Sequence, residues 1–288
     1  MPELPEVETI RRQLSAELSG KTIKNVEVRL AKMIKGQVFR FKKKITGAGI
    51  TSVSRRAKIL IFSLSNGYAI LVHLKMTGQL VYTKQGKIKT GGHPIKDGHK
   101  DLPNKFTHVI FKLNGRATLF FNDIRQFGYL MLVKAGELDG HFSRMRIGPE
   151  PLKSDFTLGA FTKLLLKKKK SKIKPLLMDQ SFIAGVGNIY ATEACYYSKI
   201  RPTRRVGSLK KDEISKLYLH LIKILKFAIK KQGTSAKNYI DAFGEPGEYA
   251  PLLKIYGRQG EPCLHCNTTV KSLLLGGRGT AYCPKCQV

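Results

Sequence analysis

The sequence is poor in acidic residues, with 20 Asp and Glu against 52 Lys and Arg, which gives a formal net charge of +32 at pH 7. Part of this excess is explained if lysine is simply common on the solvated surface. An imbalance of this size still indicates a polyanionic partner, because each phosphate that a protein neutralises releases condensed counterions. No basic amphipathic helix stands out, so nucleic acid is favoured over an anionic membrane.

The sequence also lacks any apolar run near the roughly 18 residues that a membrane span needs. It begins Met-Pro-Glu-Leu-Pro-Glu, with acids where a secretory signal would carry Lys or Arg, and no apolar core follows. We therefore expect a soluble, intracellular protein that does not bind membranes. A hydrophobic fraction of 42% in 288 residues is typical of one large or two ordinary globular domains.

Cysteine is scarce, and four of the five cysteines form two pairs. Cys263 and Cys266 make the first pair and Cys283 and Cys286 the second, with sixteen residues between the pairs. An intracellular setting argues against disulfides, and this spacing is typical of a zinc site. Four thiolates close a tetrahedral site, so we expect one structural zinc ion with no open position for catalysis. Cys195 lies in an apolar stretch and is predicted to be a core residue.

The first half of the chain predicts a helix followed by antiparallel strands. Residues 4–18 place apolar side chains on one helical face, and from 22 to 133 the hydrophobic period changes to two. Asn66-Gly67 and Asn114-Gly115 each separate two β-rich runs, which is a strong hairpin pattern. Residues 83–105 follow no apolar rhythm and are predicted to form an exposed basic loop.

Beyond Gly148-Pro149 the chain is predicted to be helical. Helical patterns cover 156–170, 174–178, 188–197 and 209–231. Residues 234–254 carry several Gly and Pro and are predicted to form a loop. The four-cysteine module closes the chain.

The N-terminus offers one group with unusual chemistry. Removal of Met1 would leave Pro2 with a free secondary amine, which in its unprotonated form can attack a sugar C1′ and form an iminium ion. An α-amino group has a pKa near ~8, so it needs less tuning than a lysine to act near neutral pH. On these residues alone, the ordinary reading of Pro and Glu as helix-start residues is favoured.

Three motifs change that balance. They are Pro2-Glu-Leu-Pro-Glu-Val-Glu8, Gly185-Val-Gly-Asn-Ile-Tyr-Ala191, and Gly277-Arg-Gly-Thr280 inside the four-cysteine module. In sequence and order they resemble the signature motifs of the bacterial formamidopyrimidine-DNA glycosylase family, which is shared with endonuclease VIII. The resemblance runs nearly from end to end.

The resemblance implies an α+β multidomain fold with four parts. An N-terminal catalytic domain, an antiparallel β-sandwich with a leading helix, spans 1–135 and is followed by a linker at 136–150. A helix–two-turn–helix domain with a lesion-recognition loop spans 151–254, and a zinc finger spans 255–288.

The implied activity is that of a bifunctional DNA glycosylase and abasic-site lyase. It would remove oxidised purines, such as 8-oxoguanine and formamidopyrimidines, from duplex DNA and then cleave the strand by β,δ-elimination. Damaged double-stranded DNA would be the partner of a monomeric protein in a bacterial cytoplasm, associated with the nucleoid through DNA binding.

Carried over by position, Pro2 resembles the Schiff-base nucleophile and Glu3 the acid that assists base departure. Lys58 matches the lysine that donates a proton in β-elimination, although a phosphate-binding or solvated lysine is an alternative. Arg278 matches the arginine linked to δ-elimination. Phosphate binding suits Arg278 better than proton donation, since a guanidinium hardly deprotonates.

The remaining correspondences concern DNA and the lesion. Met76, Arg125 and Phe127 match the side chains that fill the void left by a flipped base. Asn188, Lys174 and Lys169 match positions that approach the DNA backbone. The residues that match the lesion-recognition set are Glu6, Thr234, Ser235 and Tyr239.

Two other functions remain open. An endonuclease VIII-like glycosylase would use the same chemistry on oxidised pyrimidines, but Leu4 stands where that branch typically has glycine. A non-catalytic zinc-ribbon protein that binds nucleic acid would need only the charge and the four cysteines. It would leave Pro2, Glu3 and Lys58 unexplained.

Overall fold

The computed structural model describes residues 1–85, 87–92, 102–234 and 247–288. The chain divides into two units, which we describe one at a time. Unit 1 comprises Met1–Met145 and Lys231–Glu248, and unit 2 comprises Arg146–Lys230 and Tyr249–Val288. Within the described ranges, no helix combines the length and the apolar character needed to cross a bilayer.

The described residues of unit 1 form two five-stranded sheets and three helices. The helices are α1 (Leu4–Leu18), α2 (Val38–Ile45) and α3 (Leu138–Arg144). The strands are β1 (Ile23–Val28), β2 (Ile34–Lys35), β3 (Ile50–Arg56), β4 (Ile59–Leu64), β5 (Tyr68–His73), β6 (Gly78–Lys84), β7 (Lys87–Gly92), β8 (Thr107–Leu113), β9 (Ala117–Asp123) and β10 (Tyr129–Lys134).

The two sheets have the strand orders β1-β8-β9-β6-β7 and β2-β10-β5-β4-β3. Neighbouring strands are antiparallel except for β2, which runs parallel to β10. Alternating side chains from both sheets meet α1 in one shared core, as expected for a sandwich. Its buried members include Ile10, Leu14, Val26, Phe62, Phe111 and Leu119. The predicted β-sandwich with a leading helix is confirmed.

Both predicted hairpins are present. Strands β4 and β5 pair across Asn66-Gly67, and strands β8 and β9 pair across Asn114-Gly115. Gly67 has φ +78° and Gly115 has φ +68°, the left-handed backbone that glycine adopts without a steric penalty.

Two elements of unit 1 depart from the sequence prediction. Strand β7 lies inside the segment 83–105, which was predicted to be a loop, and pairs with β6 at the end of its sheet. An edge strand has one partner and needs no continuous apolar face, so its sequence, Lys-Ile-Lys-Thr-Gly-Gly, shows little alternation. Helix α2 interrupts the β-rich region, burying Phe41 and Ile45 on one face.

Two connections between the sheets run side by side. The first crossover loop, residues 74–77, leads from β5 to β6, and the second crossover loop, residues 124–128, leads from β9 to β10. Strand β5 pairs with β10 in one sheet, and β6 pairs with β9 in the other. The two loops therefore start and end beside each other.

Unit 2 is built from helices and one β-hairpin. Its elements are α4 (Leu158–Leu166), α5 (Ile173–Met178), α6 (Asn188–Tyr197), α7 (Lys211–Lys230), β11 (Lys271–Leu275) and β12 (Arg278–Tyr282). Helix α6 has the predicted bounds, and α7 lies within the predicted range 209–231 and buries one apolar face that includes Leu217 and Leu221. Helix α4 is shorter than predicted, because Lys167–Lys170 forms turns.

A buried carboxylate ties α6 to the segment that precedes the cysteine module. Glu193 has no exposed surface and accepts the backbone N–H groups of Lys254, Ile255 and Tyr256 at 3.0, 2.9 and 2.8 Å. Burial raises the pKa of this carboxyl, and the three hydrogen bonds act in the opposite direction. The acceptor is thus a fixed part of the fold of unit 2.

We predict that Glu193→Ala lowers the free energy of unfolding by about 2–4 kcal/mol, because three backbone donors lose their acceptor. Thermal unfolding followed by circular dichroism measures the loss. Glu261→Ala is the control, since Glu261 is exposed and its pair with Arg258 is worth at most about 1 kcal/mol. Equal losses in the two variants would contradict the role assigned to Glu193.

Candidate functional site

The N-terminal segment of unit 1 is buried rather than frayed. Met1 is 49% exposed, but Pro2 is buried and Glu3 is only 3% exposed. Helix α1 begins at Leu4, with Pro5 in its first turn, and Glu3 is its N-cap residue. The backbone N–H of Glu3 donates to Oε2 of Glu6 at 2.8 Å, which is half of a capping box. The sequence pattern therefore fixes the residues that follow Pro2.

The second oxygen of Glu6 binds a distant part of the same unit. Its Oε1 accepts the backbone N–H of Thr234 at 2.8 Å, and both residues are buried. Thr234 also forms a β-bridge with Glu248. The structure thus brings together two members of the predicted lesion-recognition set. The other two, Ser235 and Tyr239, lie outside the described residues.

Lys58 occupies the two-residue turn between β3 and β4 and is 5% exposed. The preceding Ala57 has φ +53°, a left-handed conformation that costs a non-glycine residue about 1–2 kcal/mol. The guanidinium of Arg55 donates to the carbonyl oxygen of Ala57 at 2.7 Å and to Oε2 of Glu8 at 3.2 Å. These bonds link the turn that carries Lys58 to helix α1.

The charge on Glu8 is held by its arginine neighbours. Burial alone would raise the pKa of this carboxyl, but hydrogen bonds from Arg11 and Arg12 and the charge of Arg55 lower it. The carboxylate therefore stays ionised and available to Arg55. Neither Glu8 nor Arg55 was singled out from the sequence, because an ordinary helix-surface acid gives the same pattern.

His73 is a third residue that the sequence did not single out. Its Nδ1 accepts the N–H of Lys75 at 3.0 Å, and its ring lies 5.5 Å from that of Tyr129. Burial, with the charges of Lys75 and Lys58, lowers its pKa to about 3. The imidazole is therefore neutral near pH 7, with its proton on Nε2. A lone histidine that ends a strand gave no reason to expect this placement.

The two crossover loops bring the predicted void-filling residues together. Arg125 reaches Sδ of Met76 with its guanidinium at 3.2 Å and lies 4.8 Å from the centre of the Phe127 ring. Phe127 is 53% exposed, although most phenylalanines of this unit are buried. A cation beside two apolar side chains is a surface that can enter a base stack and hydrogen-bond to a base.

In unit 2, Lys174 is fully buried and binds two other motif residues. Its Nζ donates to Oδ1 of Asn188 at 2.5 Å and to Oγ1 of Thr280 at 2.6 Å. Asn188 is the first residue of α6, and its amide also donates to the carbonyl oxygen of Gly279 at 3.2 Å. The lysine thereby joins the start of α6 to strand β12. Lys169 is exposed and makes none of these bonds.

Arg278 lies at the tip of the hairpin β11–β12, where it pairs with Leu275. The turn consists of Gly276 and Gly277, with φ +57° and +70°, which is the glycine-rich turn that a tight hairpin favours. The side chain of Arg278 is exposed. A guanidinium in this position can bind a phosphate through two parallel hydrogen bonds.

The four paired cysteines converge on one point in unit 2. Their sulfur atoms all lie within 4.8 Å of one another, and the Sγ atoms of Cys266 and Cys283 are 3.5 Å apart. Four cysteine sulfurs at this separation fit a single structural zinc ion. Cys195 is separate and fully buried, and burial raises the pKa of its thiol to about 12.

We predict about one zinc ion per chain and a clear loss of zinc in Cys266→Ser, because a tetrahedral thiolate site needs all four ligands. Elemental analysis of the purified proteins gives the stoichiometry. Cys195→Ser is the matched control and should keep its zinc. Zinc retained in Cys266→Ser and lost in Cys195→Ser would refute the assignment.

Three family models match the chain in order. The formamidopyrimidine-DNA glycosylase N-terminal domain matches residues 1–130, and the formamidopyrimidine-DNA glycosylase H2TH domain matches residues 147–239. The zinc finger found in FPG and IleRS matches residues 260–288.

Named relatives are similar over the full length. The formamidopyrimidine-DNA glycosylase of Pelotomaculum thermopropionicum is 43% identical and aligns with 100% of this chain and 99% of its own. That of Lactiplantibacillus plantarum is 42% identical, over 99% of this chain and 98% of its own.

Solved structures of Lactococcus lactis Fpg are also similar. A mutant bound to DNA containing Fapy-dG has a TM-score of 0.89 with 34% identity, over 99% of both chains. The complexes with DNA containing an abasic site and with DNA containing an oxidised pyrimidine each have a TM-score of 0.88 with the same identity and coverage. Together with the family matches, these similarities show that the chain belongs to the formamidopyrimidine-DNA glycosylase family of DNA-repair enzymes.

Proposed function

We propose that this protein is a bifunctional glycosylase and abasic-site lyase that removes oxidised purines from duplex DNA with Pro2 as its nucleophile. The observation that carries the proposal is the buried N-terminal segment. Chain ends usually fray unless something ties them down. Here Glu6 accepts the N–H of Glu3 with one oxygen and that of Thr234 with the other. Glu3, which follows Pro2, is therefore held in one position, as a catalytic group must be.

The proposed reaction begins once Met1 has been removed. The neutral amine of Pro2 attacks C1′ of the damaged nucleotide, and the bond from C1′ to the base breaks while Glu3 assists base departure and opening of the sugar ring. The resulting iminium acidifies C2′. Loss of a C2′ proton then expels the 3′ phosphate by β-elimination, with Lys58 as proton donor, and a second elimination expels the 5′ phosphate.

DNA binding in this proposal rests on separate groups in each unit. Met76, Arg125 and Phe127 enter the gap left by the flipped base. Phosphates are contacted by Asn188, with Lys174 behind it, and by the exposed Lys169 and Arg278. The proposed lesion-recognition set is Glu6, Thr234, Ser235 and Tyr239.

The organisation that we propose assigns catalysis to residues 1–135, a linker to 136–150, DNA and lesion recognition to 151–254, and a zinc finger to 255–288. A net charge of +32 supports double-stranded DNA as the partner. We propose that the protein acts as a monomer in a bacterial cytoplasm, at the nucleoid.

Oxidised purines are the proposed substrates because the named relatives are formamidopyrimidine-DNA glycosylases and Leu4 departs from the endonuclease VIII pattern. The second candidate is oxidised pyrimidines. It is favoured by one observation, the complex of Lactococcus lactis Fpg with DNA that contains an oxidised pyrimidine.

We predict that borohydride traps a covalent complex between the protein and DNA containing 8-oxoguanine, because an iminium is reduced to a stable amine. The adduct should fall strongly in Pro2→Gly and disappear in a form that keeps Met1, whose Pro2 nitrogen is an amide. Denaturing gels measure the adduct. The form with Met1 should still bind DNA in a mobility-shift assay, which separates loss of chemistry from loss of binding.

Trapping by the form that keeps Met1 at the level of the processed protein would exclude Pro2 as the nucleophile. An absence of any adduct from the processed protein, with DNA binding intact, would instead favour a non-catalytic zinc-ribbon binder.

We also predict a preference among lesions. Single-turnover excision of 8-oxoguanine opposite cytosine should be at least about tenfold faster than excision of thymine glycol. A factor of this size corresponds to a difference of about 1–2 kcal/mol in how well the pocket binds the two transition states. Undamaged duplexes of the same sequence are the control. Faster removal of thymine glycol would show that the pyrimidine alternative is correct.

A further inference from the structure

Asp123 is a buried acid at the point where the first crossover loop of unit 1 ends and the second begins. It is the last residue of β9 and pairs with Gly78, the first residue of β6. The first crossover loop, which carries Met76, ends at β6. The second crossover loop, which carries Arg125 and Phe127, begins at Asp123. One side chain therefore lies beside both loops.

The carboxylate of Asp123 accepts hydrogen bonds from both loops. Its Oδ1 accepts the hydroxyl of Thr77 and, at 3.2 Å, the backbone N–H of Arg125. Its Oδ2 accepts the N–H of Gly128 at 2.6 Å. The N–H of Arg125 is also 3.0 Å from Oγ1 of Thr77, so the hydroxyl links the two loops.

Both loops contain a residue in the left-handed backbone conformation, which the surrounding structure must stabilise. Lys75 in the first loop has φ +50° and Gln126 in the second has φ +55°. Left-handed backbone at a residue other than glycine persists only where its surroundings determine it. In the second loop, a side chain at Gly128 would place Cβ 2.8 Å from Cζ of Phe121 and 3.0 Å from Oδ2 of Asp123. Glycine thus lets the loop backbone reach the carboxylate.

The backbone of Asp123 is itself fixed from the other side. Its carbonyl oxygen accepts Nε2–H of the buried His108 at 2.8 Å, and its N–H donates to the carbonyl oxygen of Phe106 at 3.0 Å. Asp123 has no exposed surface. The carboxylate is therefore an anchored acceptor, and the loops are the parts that it can hold in place.

We infer that Asp123 is a positioning residue that, through Thr77, holds the loops of Met76, Arg125 and Phe127 in the shape that fills the void in DNA. The inference rests on the proposed function, in which these three side chains enter the duplex. A carboxylate suits the role because it only accepts hydrogen bonds and all its partners here are donors. Loops ordered in advance lose less conformational entropy when DNA binds.

The test compares one lesion in two settings. The first substrate carries 8-oxoguanine paired with cytosine in a perfect duplex. The second carries it between mismatched base pairs, where the lesion is already partly unstacked and costs less to extrude. Single-turnover excision rates are measured for the full-length zinc-loaded protein and for Thr77→Val, Thr77→Ser and Asp123→Asn. Thr77→Val removes the hydroxyl with little change in shape, and Thr77→Ser keeps it.

We expect Thr77→Val and Asp123→Asn to lower the rate on the paired lesion by at least about tenfold, the factor expected from losing a hydrogen bond to a charged group. On the substrate with mismatched neighbours the rate should fall by less than about threefold, because the lesion there is already partly unstacked and needs less free energy to leave the duplex. Thr77→Ser should restore the rate on both substrates.

Equal losses on both substrates would overturn the inference, because a merely structural defect lowers every rate alike. Unchanged rates in Thr77→Val and Asp123→Asn would overturn it as well. Failure of the proposed function has a different signature, in which the unsubstituted protein excises 8-oxoguanine from neither substrate. Thr77→Val keeps the test decisive if Asp123→Asn does not fold.

Discussion

The carboxylate of Glu6 is the acceptor on which the N-terminal site depends. One oxygen accepts the N–H of Glu3, next to Pro2, and the other accepts the N–H of Thr234, which follows 228 residues later in the chain. A carboxylate can be buried only when hydrogen bonds replace the water that it loses. Because Glu6 meets that condition with backbone donors from both ends of unit 1, the start of α1 and the β-bridge at Thr234 hold fixed positions.

A buried carboxylate that accepts backbone N–H groups occurs at two other places. Asp123 accepts backbone N–H groups from the loop of Arg125, and Glu193 accepts those of the segment before the cysteine module. In a chain with only 20 acids, these carboxylates serve the interior as fixed acceptors. Positive charge predominates in the chain as a whole, with 52 Lys and Arg against 20 acids, and such an excess favours binding to a polyanion.

Patterns of a few neighbouring residues predicted the cysteine cluster and several helices and hairpins. The four cysteines indicated their cluster because metal ligands are recognisable from residue type and short spacing. The Asn-Gly pairs located two of the hairpins, and the apolar spacing located α1 and α7, because turn chemistry and periodicity act over a few residues. Helix α2 was missed because its single buried face, with Phe41 and Ile45, is too short to interrupt a β-rich context clearly.

The residue types used in the proposed chemistry could be read from the sequence: Pro2 after Met1, Glu3 beside it, Lys58, and four cysteines in two pairs. Residue type and local spacing suffice for these. The partners that position the predicted site residues became apparent in the folded structure alone. Arg55 supports the turn of Lys58, Lys174 joins Asn188 to β12, and Asp123 lies between the two crossover loops. A buried donor or acceptor takes its partner from whichever segment the sheet pairing or helix packing places beside it, and that segment is usually distant in the sequence.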